Sequence, residues 1–276
     1  MSDTIGIIAG SGQFPYLVAQ GARESGLRVV ICGFEGNTEP DLAKEAEAFI
    51  MLHLGQLGAL IDFFKKQGAS RLCMAGAIAK PRALDIKPDF RAAKLLFRLA
   101  GNRGDDAILR AVAKEIQSEG IAVMRPEELV PELASPTGLI SKRKPDAELW
   151  SDIRHGWHIA KQVGGLDIGQ CVVVRGGIVM AVEAIEGTDA AIVRGAQLGG
   201  GGCTVVKVVK PGQDKRLDLP SIGMRTMELL CAHKCACLAY DATGTLFFDR
   251  KAALAFADEH NICVVALPAD AEAFLA

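Results

Sequence analysis

The sequence predicts an α/β protein built from two α/β domains, the first a Rossmann-like parallel sheet and the second a mixed α/β sheet. Three observations carry this reading. Apolar strand-like runs alternate with amphipathic stretches as far as Met124, the pattern of a parallel sheet wound with helices. The alternation stops between Arg125 and Lys144, where Pro126, Pro131, Pro136 and the basic run SKRKP fall; prolines and clustered charge mark a linker. It then resumes with VVVRGGIVM, two apolar runs around a Gly-Gly turn, which is a hairpin signal and so introduces antiparallel pairing. The expected domains are 1–135 and 136–276.

The elements follow in order. TIGIIAG is a buried strand, SGQFP a turn and YLVAQGARESG a helix with one apolar face, a β-turn-α unit. LRVVICGF followed by DLAKEAEAF reads as a second strand and helix, QLGALIDFFKKQG and RLCMAGAI as a helix and strand, and DDAILRAVAKEIQSEG and IAVM as another such pair. Beyond the linker come a helix over AELWSDIRHGWHIAKQVG, the hairpin, a helix over AAIVRGAQ and a strand over CTVVKVV. MRTMELLCAHK is then helical, CLAYDATGTLFFD a strand with a hairpin, RKAALAFADEH a helix and ICVVALP the last strand.

Composition narrows the function classes. Half of the 276 residues are hydrophobic, enough for packed cores. With 31 basic and 33 acidic residues the net charge is −2, which gives no global attraction for nucleic acid. The eight cysteines sit mostly in apolar runs such as VVICGF, where a reduced thiol behaves as a small hydrophobe, so a reducing, cytoplasmic setting is expected. No signal-like leader and no apolar run of membrane-spanning length stands in the sequence; were the substrate a lipid, peripheral contact with the membrane surface through a few exposed apolar side chains stays open.

The residues that can carry chemistry fall into two groups. In the first half, Gly10, Ser11, Gly12 and Gln13 lie between a strand and a helix, where backbone amides and the helix dipole favour phosphate. Gly76 ends a later strand at the same predicted sheet edge, with Lys80 and Arg82 following as possible anion ligands. Asp105 and Asp106 open a helix and are expected to cap it. Pro15 stands where a dinucleotide fingerprint has its third glycine, and no P-loop pattern is present.

The second half carries EAIEGTD and KPGQDKRLDLPSIG. Glu183, Glu186, Asp189, Asp214 and Asp218 offer hard oxygens suited to Mg²⁺, and Lys207, Lys210, Lys215 and Arg216 offer charge for phosphate. Thr188 joins the expected substrate-binding residues. Cys231, His233, Cys235 and Cys237 do not match zinc-site spacing. His155 and His158, with Trp157 between them, are ascribed to a partly buried helix.

Taken together, IIAGSGQFP, MAGAIAKP, GDDAILRAV, LDIGQCVVVRGGIVMAVEAIEGTD and KPGQDKRLDLPSIG, in that order, resemble the LpxI-type UDP-2,3-diacylglucosamine pyrophosphatases. The resemblance implies Mg²⁺-dependent hydrolysis of a UDP-linked diacylated sugar lipid to UMP and the sugar 1-phosphate, a two-domain chain with the ligand between the domains, and a homodimer. The acid of the family's DLP-x-[IV]-G motif falls on Asp218, which it implies as catalytic and metal-binding. Glu183, Glu186 and Asp189 are then further metal candidates, and Lys210 or Arg216 stabilises developing charge. Two other classes stay open. A nicotinamide-dependent oxidoreductase would use the glycine turn and Glu35; a non-catalytic nucleotide-binding module would use the turn alone.

Overall fold

The computed structural model describes residues 3–78, 87–99, 105–217, 219–268 and 271, and the backbone alone at 105 and 106. The chain divides into two compact units, one of Met1–Pro131 with Asp214–Asp218 and one of Glu132–Gln213 with Leu219–Ala276. The cut near 135 expected from sequence therefore leaves out one feature, the short segment Asp214–Asp218 that joins the first unit.

In the first unit the elements are β1 (Thr4–Ala9), α1 (Phe14–Glu24), β2 (Arg28–Phe34), β3 (Ala48–Leu52), α2 (Leu57–Lys66), β4 (Arg71–Ala75), α3 (Phe90–Arg98), α4 (Asp105–Ser118) and β5 (Ala122–Val123). All five strands run parallel in the order β3-β2-β1-β4-β5. The central strand β1 pairs Ile7 with Ile31 on one side and with Cys73 on the other. Every β1 residue is buried, so TIGIIA is continuously apolar, as strands covered on both faces must be.

Two expectations are corrected here. DLAKEAEAF is not a helix: Pro40–Glu45 forms a 3₁₀ helix and AFIML becomes edge strand β3, paired in register with Val30–Phe34. The bulky residues Phe49 and Ile50 suit a pleated surface, and tertiary pairing overrides the weak helical signal. Helix α3 was not expected; its nine residues are too few to show a clear period by sequence.

The second unit holds β6 (Gly138–Leu139), α5 (Ala147–Gly165), β7 (Cys171–Arg175), β8 (Ile178–Val182), α6 (Thr188–Gly199), β9 (Thr204–Lys207), β10 (Ser221–Ile222), α7 (Met224–Ala232), β11 (Cys237–Asp241), β12 (Leu246–Phe247), α8 (Arg250–Glu259) and β13 (Cys263–Leu267). Its six-stranded mixed sheet has the order β6-β13-β11-β9-β7-β8. β9, β11 and β13 are parallel, while β6, β7 and β8 add antiparallel pairs. The Gly176-Gly177 hairpin forms as predicted, with φ of 57° and 74° and both amides held by the buried Asp152 carboxylate at 3.1 and 2.7 Å.

Alternation along the strands sorts two cores. Cys171 and Val173 face α6, α7 and α8, whereas Val172 and Val174 face α5, the two-residue period of a sheet covered on both sides. The hairpin expected within CLAYDATGTLFFD is absent. Instead β12 leaves the main sheet and pairs in parallel with β10, and Asp241 turns the chain by accepting from Thr243 N and Oγ1 at 3.0 and 2.6 Å, a local turn that competes with a ladder.

Candidate functional site

The strand order of the first sheet reverses between β1 and β4. Open α/β sheets bind ligands in the crevice at the carboxyl ends of such strands. Here the two loops are tied to each other. Gly10 N donates to Ala75 O at 2.8 Å, Ser11 N to Ala77 O at 2.8 Å, and Ala77 N back to Ser11 O at 3.3 Å, while the Ser11 hydroxyl adds a bond to Ala77 O at 3.0 Å. The loop after β2 joins them, because the buried Thr38 hydroxyl donates to Ala9 O at 2.6 Å.

This geometry divides the glycine turn into two parts. The amides of Gly10 and Ser11 hold the β4 loop, and a Cβ on Gly76 would lie 2.6 Å from Ser11 O. Gly12 is different: its φ is 86° and a Cβ there would meet nothing within 4 Å. The side open to a ligand is therefore at Gly12, ahead of α1. Lys80 and Arg82 lie outside the described residues, as do the side chains of Asp105 and Asp106. Glu35, the candidate ribose acid, has its carboxylate 3.1 Å from His53 Nδ1.

In the second unit the polar residues gather at the carboxyl ends of β9 and β11. Lys207 pairs in register with Cys171 and with Tyr240, and Glu183 N donates to Cys171 O. Glu183, Cys171, Lys207 and Tyr240 thus form one row across four adjacent chain segments. Glu183 and Lys207 are each only 7% exposed, and charged groups so buried need partners. Lys207 Nζ donates to Ser221 O at 2.8 Å. Glu183 accepts from Gln170 N at 3.1 Å and from the Thr188 hydroxyl at 2.9 Å. Burial, with Glu183 adding to it, pushes the Cys171 thiol well up.

The other expected metal ligands are individually engaged. Glu186 pairs with Arg194, whose hydrogen bond holds its carboxyl below the usual range, and Asp189 pairs with Arg225 at 2.8 Å. Among the described residues no three His, Cys, Asp or Glu side chains converge as a metal cage. Asp218 lies outside the described residues. A donor set of this kind fits Mg²⁺ only as an ion carried by one or two carboxylates and completed by phosphate and water oxygens.

The cations expected to stabilise charge have local partners. Lys210 Nζ meets Asp167 at 2.7 Å. Arg216 grips Asp214 with both arms, at 2.9 and 2.6 Å, which raises the guanidinium and lowers the carboxyl. α5 is a partly buried helix, as expected: Trp157 is turned inward with Leu149, Ile153 and Ala160, while His155 and His158 lie on its exposed face. A further polar pair escaped sequence reasoning: Lys161 donates to the buried Asp241 at 2.6 Å and to Val209 O at 3.0 Å. Its signal was an acid ending the otherwise apolar strand CLAYD.

Family models match both halves in order, the LpxI N-terminal domain over residues 4–133 and the LpxI C-terminal domain over residues 136–265. A relative named UDP-2,3-diacylglucosamine pyrophosphatase LpxI, from Caulobacter vibrioides, is 32% identical over 275 residues, covering 95% of this chain and 96% of its own. Solved structures are much more distant. The biotin carboxylase of Campylobacter jejuni is 13% identical over 71% of this chain and 42% of its own, with a TM-score of 0.30. The biotin carboxylase domain of the Hydrogenobacter thermophilus 2-oxoglutarate carboxylase is 14% identical over 64% and 36%, with a TM-score of 0.28. The chain spans under half the length of either structure, and such scores carry no argument about fold or activity. Both domain models and the end-to-end relative agree, and the chain belongs to the LpxI family.

Proposed function

We propose that the chain is a hydrolase that cleaves the pyrophosphate of UDP-2,3-diacylglucosamine, giving UMP and 2,3-diacylglucosamine 1-phosphate in lipid A biosynthesis. The observation that carries this is the 32% identity to the named pyrophosphatase along 95% of the chain. Each unit adds a feature suited to a diphosphate. The first offers the open Gly12 position shortly before a helix, where an anion is favoured. The second places the buried cation Lys207 at the carboxyl end of β9, holding the Ser221 carbonyl of the motif DLPSIG.

Mg²⁺ belongs to this proposal, with Asp218 as its protein ligand by likeness to the family motif; when bound, it neutralises diphosphate charge and polarises the phosphoryl oxygens. The chain's own residues position the reaction: Lys207 fixes the backbone three residues beyond Asp218, and the engaged Glu183 fixes the start of α6 through Thr188. We also propose peripheral contact with the inner membrane, where a diacylated substrate resides, and a homodimer.

The test is turnover of UDP-2,3-diacylglucosamine in ¹⁸O-labelled water, with products separated and weighed. We expect UMP and the lipid 1-phosphate in equal amounts, with the label on the lipid phosphate, because water attacks the sugar-side phosphorus and UMP leaves. Absence of UMP would overturn the activity, and label in UMP would overturn the point of attack.

A further inference from the structure

We propose that α3 is the surface through which the protein docks on an anionic lipid bilayer. The choice of a lipid partner rests on the reading of the substrate as a diacylated sugar nucleotide. The rest rests on the helix itself.

Helix α3, FRAAKLLFR, buries Ala92 and Leu95 against the first unit. Residues three and four apart share a helical face, so Phe90, Ala93 and Phe97 form a stripe on the opposite side. Phe90 is 86% exposed and Phe97 83%, with Leu96 beside them at 40%. Two phenylalanines left this open on one short helix are unusual on a surface that meets only water.

Charge on the helix is one-sided. Lys94 and Arg98 lie along one edge of the stripe, both exposed, and neither has an ion-pair partner among the described residues. Arg91, by contrast, is turned to Glu115 and Glu119. No acidic residue occurs between Phe90 and Arg98. Asp89, which precedes them, is turned inward, accepting from Gly58 N at 2.6 Å and Ala92 N at 2.8 Å. An apolar stripe edged by exposed cations matches a bilayer with anionic headgroups: rings enter the acyl boundary while the cations meet phosphates.

A second copy of the chain fits less well. Two-fold contact through α3 would set Lys94 and Arg98 near their own equivalents, and nine residues fall short of the roughly 20 to 30 per side of a stable interface.

The experiment measures binding of the full-length protein to vesicles without substrate, using phosphatidylcholine alone and phosphatidylcholine mixed with phosphatidylglycerol. Wild type is compared with Phe90→Ser/Phe97→Ser and with Lys94→Glu/Arg98→Glu, each first shown to unfold at the wild-type temperature. We expect wild type to bind the anionic vesicles, the serine pair to bind roughly tenfold or more weakly, and the glutamate pair to lose the preference for phosphatidylglycerol. UMP release from a short-chain, water-dispersed substrate should be unchanged in both variants, while release from substrate embedded in anionic vesicles falls.

Vesicle binding equal to wild type in both variants would overturn the proposal, as would a wild type that does not bind. Loss of short-chain turnover would overturn it in favour of a stripe that touches the substrate's own acyl chains. Dissociation of a wild-type dimer in the serine variant, with vesicle binding intact, would overturn it in favour of a protein interface. Vesicle binding through α3 in a protein that releases no UMP would leave the docking surface standing and remove the pyrophosphatase reading.

Discussion

Gly12 and Gly76 illustrate how two glycines in one loop pair do different work. Both have positive φ, at 86° and 92°, but only Gly76 is pressed against neighbouring backbone, with its would-be Cβ 2.6 Å from Ser11 O. Gly12→Ala should destabilise by about 1 kcal/mol through φ strain, and Gly76→Ala by about 2 to 3 kcal/mol because the loop tie must also open. Urea unfolding of both variants checks the ranking; equal losses would mean that the tie contributes little. At Asp218 the expectation is chemical. Asp218→Asn keeps size and loses charge, so kcat should fall at least about a hundredfold, or roughly 3 kcal/mol, with KM little changed. A folded Asp218→Asn enzyme within about fivefold of wild type would remove Asp218 from the mechanism.

Among the elements, Glu119 joins three helices. It follows α4 and accepts from Lys65 of α2 at 2.7 Å and from Arg91 of α3. The hydrogen bond from Lys65, then that from Arg91, hold its carboxyl down from 4.5 to about 2. A carboxyl depressed in the folded state stabilises above its unfolded value and loses that contribution as pH falls through its folded value. Glu119→Gln should therefore lower Tm at neutral pH, and the gap from wild type should narrow as pH falls from about 4.5 toward 2. Thermal unfolding across that range checks this. A gap independent of pH would show that Glu119 acts by packing alone. The same three-helix contact supports α3 from beneath, leaving its outer stripe free to meet another surface.

For the molecule as a whole, metal dependence and thiol independence are opposite expectations of one enzyme. UMP release should stop in EDTA and return with Mg²⁺ or Mn²⁺, since hard oxygens dominate the candidate ligands. Activity should survive iodoacetamide: Cys32, Cys73 and Cys235 are buried, and burial pushes each thiol up to about 12, which suppresses the reactive thiolate. Full activity in EDTA, or rescue by zinc alone, would sink the Mg²⁺ proposal. No helix among the described residues is long and apolar enough to cross a membrane.

The sequence by itself determined the α/β class, the Gly176-Gly177 hairpin and most helices. These are written in local periodicity and turn chemistry, which neighbouring residues suffice to specify. The motif order also determined the family, since IIAGSGQFP and KPGQDKRLDLPSIG identify it without coordinates. Tertiary structure alone decided what each polar group does. AFIML became strand β3 because Val30–Phe34 offered it a ladder, and Gly10 and Ser11 turned their amides to the β4 loop rather than outward. Glu183, Lys210 and Arg216 took partners at Thr188, Asp167 and Asp214, and Lys161 found Asp241 eighty positions away. The reason is physical: periodicity is a property of neighbours along the chain, whereas a buried charge is satisfied by whichever partner folding brings near, and spacing in sequence carries no record of that choice.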